Sequence, residues 1–305
     1  MANDYPTSLL EFEHWFRTEG ACRDYLLRLR WPEGFRCPRC GHRQAWKRSR
    51  YQLRCGGCRT DINATAGTIF HGSHVPLRIW FRAIWWITNQ KSGVNAMGLQ
   101  RLLGLGSYKT AWTCLHKLRR AMVRASRERL SGKVEVDETV VGGERRGAHG
   151  WHADEKKALV VIAAEVRGEG IGRIRLRRVP DTKLASLNKF VQEEITPGSE
   201  IITDGHKGYL KITSLGYKHS STPTKKSKEL SNMVSGRAHR VAALLKRWLL
   251  GTHQGRVSRK QLEHYLEEFT FRFNRRRSTD RGMLFYRLVQ QGIVTGPRPY
   301  QSLIA

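Results

Sequence analysis

The chain has 305 residues, and its 55 lysines and arginines against 26 aspartates and glutamates give a formal net charge of +29. Positive charge on this scale predicts a polyanionic partner, and nucleic acid is the partner we expect, because Lys and Arg neutralise phosphates. Hydrophobic residues make up 39% of the chain, enough to build folded cores, which excludes a disordered basic tail.

The first segment, residues 1–30, predicts two short amphipathic helices, because apolar residues recur at helical spacing from Ser8 to Leu29. It has no basic start followed by an apolar run and a small-residue cleavage site, so it does not resemble a secretory signal. The apolar run at residues 79–87 includes Arg82 and is far shorter than the roughly 20 residues of a membrane span. We therefore expect a cytoplasmic protein, associated with the nucleoid and not with a membrane.

Residues 31–74 predict a zinc ribbon. Cys37-x-x-Cys40 and Cys55-x-x-Cys58 are separated by 14 residues, close to the spacing of a four-cysteine Zn²⁺ site. Such a site is structural, because four protein ligands leave no open position for water. The alternatives are reduced structural cysteines or a redox pair.

Cations alternate with aromatic residues along this ribbon, a pattern suited to phosphate contact and stacking. We predict DNA contacts by Arg43, Lys47 and Arg48. The alternative is a solvated face of the ribbon with no partner.

Residues 75–130 predict a helix-turn-helix module. Leu99, Leu102 and Leu103 form an apolar helix face, the turn falls at Gly104 to Gly106, and Ser107 can cap the second helix. That helix would enter the DNA major groove. Its predicted DNA-binding residues are Lys109, Lys117, Arg119 and Arg120. An ordinary helical hairpin is the alternative.

Residues 131–295 predict an α/β domain, and residues 296–305 a tail. Strands are expected at 133–143, 157–166, 173–180 and 200–205, and helices at 183–195, 235–250 and 260–275. A basic loop is expected at Thr222 to Lys228.

Two aspartates in this domain are candidate catalytic metal ligands. Asp137 lies within a strand whose polar and apolar residues alternate, and Asp204 ends an apolar run before Gly205. Two carboxylates at such positions can hold one or two Mg²⁺ or Mn²⁺ ions, which activate an attacking oxygen and stabilise a leaving oxygen at phosphorus. The alternative is a strand-edge aspartate and a turn aspartate without catalytic roles.

Six separated segments carry a resemblance to a known family. In chain order they are RWPEGFRCPRCG, AGTIFHGS, VEVDETVVGG, IITDGHKGY, LLKRWLLGTHQG and LEEFTFRFNRRRS. Between Trp31 and Gln291 the sequence resembles the zinc-ribbon DDE-type transposases of prokaryotic insertion sequences, which carry an ISXO2-like transposase domain. The resemblance implies an RNase H-like mixed sheet flanked by helices, with Asp137 and Asp204 as the first two metal ligands. It also implies DNA strand hydrolysis followed by attack of the freed 3′-hydroxyl on target DNA.

The third site residue follows from the same resemblance. Relatives carry a glutamate, asparagine or histidine seven residues before a lysine on one helix, which here gives His239 and Lys246. Two helical turns place both on one face. We expect His239 at the site and Lys246 on the cleaved strand; Glu229 is the reserve candidate, and a surface histidine is the alternative.

The sequence thus predicts an insertion-sequence transposase that binds terminal inverted repeats and target DNA as a homodimer or larger assembly. One alternative is a DNA-binding regulator on an inactive transposase scaffold. Another is a nuclease without strand transfer.

Overall fold

A computed structural model describes residues 4–49, 52–123, 127–142, 157–221, 236–255 and 257–304. The chain divides into two units. The first, here the ribbon unit, comprises Met1–Arg124 and Ser278–Ala305. The second, here the sheet unit, comprises Ala125–Arg277. The predicted loop at 222–228 and the reserve candidate Glu229 lie outside the described residues.

The ribbon unit begins with two helices, as the apolar spacing predicts. Helix α1 spans Leu9–Trp15 and α2 spans Glu19–Arg30. Both have hydroxyl N-caps: Ser8 accepts a hydrogen bond from the Glu11 amide, and Thr18 accepts one from the Ala21 amide.

A small antiparallel sheet follows. Strands β1 (Ala45–Lys47), β2 (Gln52–Cys55) and β3 (Asp61–Asn63) are joined in that order. Their core is small, with Ile62 and two of the cysteines buried against Trp31 and Phe35, so we expect the segment to depend on its cysteine cluster for stability.

Three helices complete this part of the chain. They are α3 (Leu77–Asn89), α4 (Ala96–Leu103) and α5 (Tyr108–Ala121). Gly104 ends α4 with a left-handed φ of 60°, and the Ser107 hydroxyl accepts a hydrogen bond from the Thr110 amide at the start of α5. Helix, turn and helix therefore lie where the sequence predicts them. In the described part of the chain, no helix has the length and apolar character needed to cross a bilayer.

The sheet unit contains one five-stranded mixed sheet. Its strands are β4 (Lys133–Gly142), β5 (Lys157–Arg167), β6 (Gly170–Val179), β7 (Glu200–Thr203) and β8 (Lys218–Ser221). Their order is β6-β5-β4-β7-β8; β4, β5 and β6 are antiparallel neighbours, whereas β7 is parallel to both β4 and β8. This is the strand arrangement of the RNase H fold, so the predicted fold class is confirmed.

Helices cover both faces of this sheet. They are α6 (Leu184–Glu194), α7 (Gly236–His253) and α8 (Leu262–Asn274). Val160 and Ile162 of β5 pack in one core with α7 and α8, while Val161 and Ala163 pack in the other core with α6. The alternation of β5 thus assigns its two faces to different helices. On β4, Val136 faces the α6 side, so Asp137 faces the α7 side.

The C-terminal helices α9 (Arg281–Val294) and α10 (Tyr300–Ile304) belong to the ribbon unit. This grouping differs from the predicted catalytic domain, which extended to residue 295. The reason is aromatic packing: Phe285 of α9 is fully buried. Its ring lies 5.4 to 6.3 Å from those of Phe12, Phe16, Tyr25, Phe81 and Trp85.

Candidate active site

Asp137 and Asp204 lie on neighbouring parallel strands. Strand β4 pairs with β7 through Val134 opposite Ile201 and Glu135 opposite Ile202. Asp137 and Asp204 each lie two residues beyond this last pair, and Asp204, which directly follows β7, is near enough to raise the pKa of Asp137. The parallel pairing therefore brings together two carboxylates that are far apart in the sequence.

His239 joins these carboxylates from helix α7. Its Nδ1 atom lies 3.3 Å from Oδ2 of Asp137. The His239 side chain is 60% exposed and that of Asp137 is 13% exposed. His239 is therefore the solvent-exposed residue of this pair, and Asp137 is the buried one.

The site raises the pKa of Asp137. Burial is the main cause, because it penalises the charged carboxylate; the nearby Asp204 and Glu135 carboxylates act in the same direction. His239 and the Glu138 amide, which donates a 2.8 Å hydrogen bond to Oδ1, oppose the increase. A cation bound nearby would therefore stabilise the charged form of the Asp137 carboxylate.

The turn after β7 fixes Asp204. Gly205 has a φ of 85°, a left-handed conformation that favours glycine, and the His206 amide donates a 2.9 Å hydrogen bond to Oδ1 of Asp204. Oγ1 of Thr203 lies 2.9 Å from Nε2 of His219 on β8. The second carboxylate therefore sits on a turn held from two directions.

On the opposite face of β4, Glu138 accepts a hydrogen bond from the Tyr209 hydroxyl. Both residues are buried, and burial raises the pKa of Glu138 to about 7. Gly208 permits this approach, because a Cβ there would lie 2.6 Å from both Cδ1 of Leu187 and the Thr182 carbonyl oxygen. The sequence analysis did not assign Tyr209 a role, although Tyr209 lies within the IITDGHKGY segment that carries Asp204.

Lys246 lies two turns after His239 on α7, and it is exposed. Helical spacing places its side chain on the same face of the helix as His239. The exposed Lys246 ammonium therefore lies further along the helix face that carries His239, the predicted third site residue.

The four cysteines form a compact cluster. Their ligand atoms all lie within 4.8 Å of one another, with Sγ separations of 3.7 Å for Cys37 to Cys58 and 3.5 Å for Cys40 to Cys55. A tetrahedral Zn²⁺ with Zn–S bonds of about 2.3 Å gives sulfur separations of about 3.8 Å. The cluster therefore fits a structural zinc ion.

The two cysteine turns share one backbone geometry. Gly41 and Arg59, each directly after a second cysteine, have φ values of 73° and 58°. The Gly41 amide bonds to the Cys37 carbonyl at 2.9 Å, and the Arg59 amide bonds to the Cys55 carbonyl at 3.2 Å. The hydrogen bond between Cys58 and Thr60 is the main cause that lowers the pKa of Cys58 to about 6, which favours the thiolate that binds metal.

The predicted DNA contacts of the ribbon differ in availability. Arg43 and Lys47 are exposed. Arg48 forms an ion pair with Asp61 on β3, which also accepts a 2.7 Å hydrogen bond from Nε of Arg54. Arg43 and Lys47 are therefore freer to meet phosphate than Arg48.

On α5 the burial corrects part of the prediction. Lys117 and Arg119 are buried, with 8% and 1% exposure, because the second half of α5 packs against α3, α4 and α9. They do not present charge to DNA in this arrangement. Lys109 is exposed, with Nζ 4.1 Å from the centre of the Tyr300 ring, and Arg120 is half-buried. The N-terminal half of α5 remains the accessible basic part.

Two regions of the chain match transposase family models. Residues 129–274 match the ISXO2-like transposase domain. This part of the chain belongs to that family. Residues 17–61 match the transposase zinc-ribbon domain. The transposase domain thus spans the sheet with Asp137, Asp204 and His239, and the zinc-ribbon match spans all four cysteines.

One relative is similar to most of the chain, and one solved structure matches it weakly. A protein in the transposable element ISH50 of Halobacterium salinarum, described as uncharacterized, is 28% identical over 288 residues. The alignment covers 84% of this chain and 91% of that protein. The crystal structure of the Mos1 strand transfer complex covers 70% of this chain and 78% of its own, at 9% identity and a TM-score of 0.21. Two regions of the chain therefore match transposase families, and a relative over most of its length comes from a transposable element.

Proposed function

We propose that this protein is an insertion-sequence transposase that cuts DNA at the element's terminal inverted repeats and joins the freed end to target DNA. The observation that carries the proposal is the 3.3 Å contact between His239 and Asp137, beside the neighbouring strand end that carries Asp204. Their carboxylate and imidazole donors suit a divalent cation, and the histidine favours Mn²⁺ more than a third carboxylate would.

Asp137 and Asp204 would hold the catalytic Mg²⁺ or Mn²⁺, with His239 as a third ligand or proton acceptor. Bound there, the metal supplies Lewis acidity at the scissile phosphate. In the first step a water oxygen forms a bond to phosphorus while the 3′-oxygen of the cut strand leaves and takes up a proton. In the second step that 3′-hydroxyl attacks a target phosphodiester, gives up its proton and displaces the target strand's 3′-oxygen.

We expect Lys246 to contact the cleaved strand. Its exposed ammonium lies on the His239 face of α7 and suits a phosphate as a point charge. The ribbon, through Arg43 and Lys47, and the start of α5, through Lys109, would bind the terminal repeats. Two ends must meet for joining, so we expect a homodimer or larger assembly on DNA.

A labelled duplex that carries the element's own terminal repeats tests the proposal. We expect cutting and joining with Mg²⁺ or Mn²⁺ by the wild type, and at least about a 100-fold loss in Asp137→Asn and Asp204→Asn, because each variant removes a metal-binding charge. Glu169→Gln is the matched control, since Glu169 is an exposed carboxylate of the same unit in the turn between β5 and β6.

The outcomes separate the three hypotheses. Repeat binding without any metal-dependent cutting would contradict the proposal and favour a DNA-binding regulator on a silent scaffold. Cutting without joining would indicate a nuclease. Equal loss in the Glu169→Gln control would show that general charge, and not the candidate site, governs activity.

A further inference from the structure

Glu135 is a buried carboxylate with three donors at the start of helix α7. It is 2% exposed. Its Oε2 atom accepts hydrogen bonds from the backbone amides of Arg237 at 2.9 Å and Ala238 at 3.2 Å, and its Oε1 atom accepts one from Nη1 of Arg237 at 2.8 Å. Because a buried charge is costly without partners, this set of bonds holds the carboxylate and the helix start together.

Arg237 extends the same contact to the turn between β5 and β6. Its Nη2 atom donates to the Gly168 carbonyl at 2.8 Å, and its Nε atom donates to the Gly170 carbonyl at 3.0 Å. One arginine thus connects the first turn of α7 to β4 and to a neighbouring hairpin. The start of the helix is fixed against two places in the sheet.

The position of this contact relates it to the candidate site. Glu135 and Asp137 are two residues apart on β4 and share one face of the strand. Arg237 and Ala238 directly precede His239, which reaches Asp137 at 3.3 Å. The strand that carries the first metal-binding aspartate therefore also holds the helix turn that delivers the third site residue.

We propose that Glu135 and Arg237 are positioning residues that hold His239 beside Asp137 for strand cleavage. The proposal rests on the proposed function for its catalytic consequence. Without the carboxylate, the amides of the first turn lose their acceptors and Arg237 loses its charge partner, so α7 begins to fray next to the site. A displacement of about 1 Å at a reacting group can reduce a rate about 100-fold.

The test compares Glu135→Ala with Glu165→Ala in the full chain. Glu165 is a matched control in the same sheet: it accepts hydrogen bonds from the Ser131 and Arg173 amides and forms an ion pair with the Arg173 side chain. Among the described residues, it has no hydrogen bond or ion pair with α7. Hydrogen exchange of residues 237–241 is measured without added divalent metal. Cleavage is then measured as kcat and KM on the repeat duplex.

We expect Glu135→Ala to speed exchange at 237–241 about tenfold while α8 stays protected, and to lower kcat about 10- to 100-fold with KM unchanged. Glu165→Ala should change neither. The proposal would be overturned if Glu135→Ala exchanged the α7 amides at the wild-type rate. It would also be overturned if this variant exchanged them faster but kept the wild-type kcat. An equal effect in the control would overturn it as well.

Two further results keep the test decisive. If Glu135→Ala does not fold, Glu135→Gln replaces it, because the amide oxygen of glutamine can still accept hydrogen bonds from the helix. We then expect exchange at 237–241 to be about threefold to tenfold faster and kcat about threefold to tenfold lower. Wild-type exchange and kcat in this variant would overturn the proposal. If the wild type cuts no DNA, the proposed function fails, whereas the exchange measurement still decides whether Glu135 holds α7.

Discussion

Asp137 and His239 meet across two elements, with Oδ2 of the strand residue 3.3 Å from Nδ1 of the helix residue. Because Nδ1 engages the carboxylate, Nε2 is the ring nitrogen left for a metal ion or a water molecule. A histidine oriented by a carboxylate in this way is a common feature of metal sites. The contact gives the third position a defined geometry even though its side chain is largely exposed.

The choice of metal is expected to depend on His239. Changing His239→Glu supplies a third carboxylate, a harder ligand that suits Mg²⁺ better than imidazole does. We expect the ratio of Mg²⁺-supported to Mn²⁺-supported cutting to rise about tenfold, whereas His239→Ala should lower cutting with both metals. Initial cleavage rates across a metal titration measure this ratio. An unchanged ratio in His239→Glu would place the imidazole outside the metal's reach.

Stability should depend on pH through Glu138. Burial raises the pKa of its carboxyl to about 7, above the ordinary glutamate value of 4.5. The folded state therefore holds an extra proton between these values, and the free energy of unfolding falls as pH rises through this window. Glu138→Gln cannot ionise and should be more stable than wild type at pH 8 by up to about 3 kcal/mol, with little difference at pH 4. Urea unfolding without added divalent metal measures this, and a constant difference across the window would contradict it.

The cysteine cluster should stabilise the ribbon through zinc. Zn²⁺ binding contributes roughly 10–16 kcal/mol in isolated finger peptides, so Cys58→Ser should lose the metal and unfold the strands β1 to β3. Cys114→Ala is the control, because that buried thiol, whose pKa burial raises to about 12, lies outside the cluster. Zinc content by mass spectrometry and repeat binding by fluorescence anisotropy follow both variants. Equal zinc loss in both would argue against a four-cysteine site.

Charge on α5 should affect DNA binding according to its exposure. Lys109→Ala removes an exposed cation, so the slope of log K against log salt should become shallower by about 1. Lys117→Met changes a residue with 8% exposure and should leave that slope as in wild type while altering stability. Binding is measured on one repeat duplex at several salt concentrations. A slope change confined to Lys117→Met would reverse our interpretation of this helix.

Much of the architecture could be predicted because its signals are local. The paired cysteines, the alternation in β4 and the Asp-Gly sequence after β7 each lie within a few residues of chain. They led to the zinc-ribbon segment and to the two aspartates that the fold brings together. Strand β8 was not predicted, since KHSS at Lys218–Ser221 is polar and mostly exposed at the edge of the sheet.

What the sequence did not predict depends on long-range packing. Charge alone suggested that Lys117 and Arg119 face DNA, but only the surrounding helices determine that they are buried. The hydrogen bond between Glu138 and Tyr209 joins residues that are far apart in the sequence, and no sequence motif relates the two positions. Helix α9 groups with the ribbon unit for the same reason: Phe285 packs against aromatic residues near the other end of the chain.

The burial of Phe285 among aromatic residues near the N-terminus has a consequence for biosynthesis. A nascent chain emerges from the ribosome with Phe12 and Trp85 long before Phe285 is made, so this aromatic core stays open during most of translation. The contiguous residues 125–277 can close their own core earlier. The unit that is synthesised first is therefore completed last, and a product truncated before residue 281 would expose aromatic surface to chaperones and proteases.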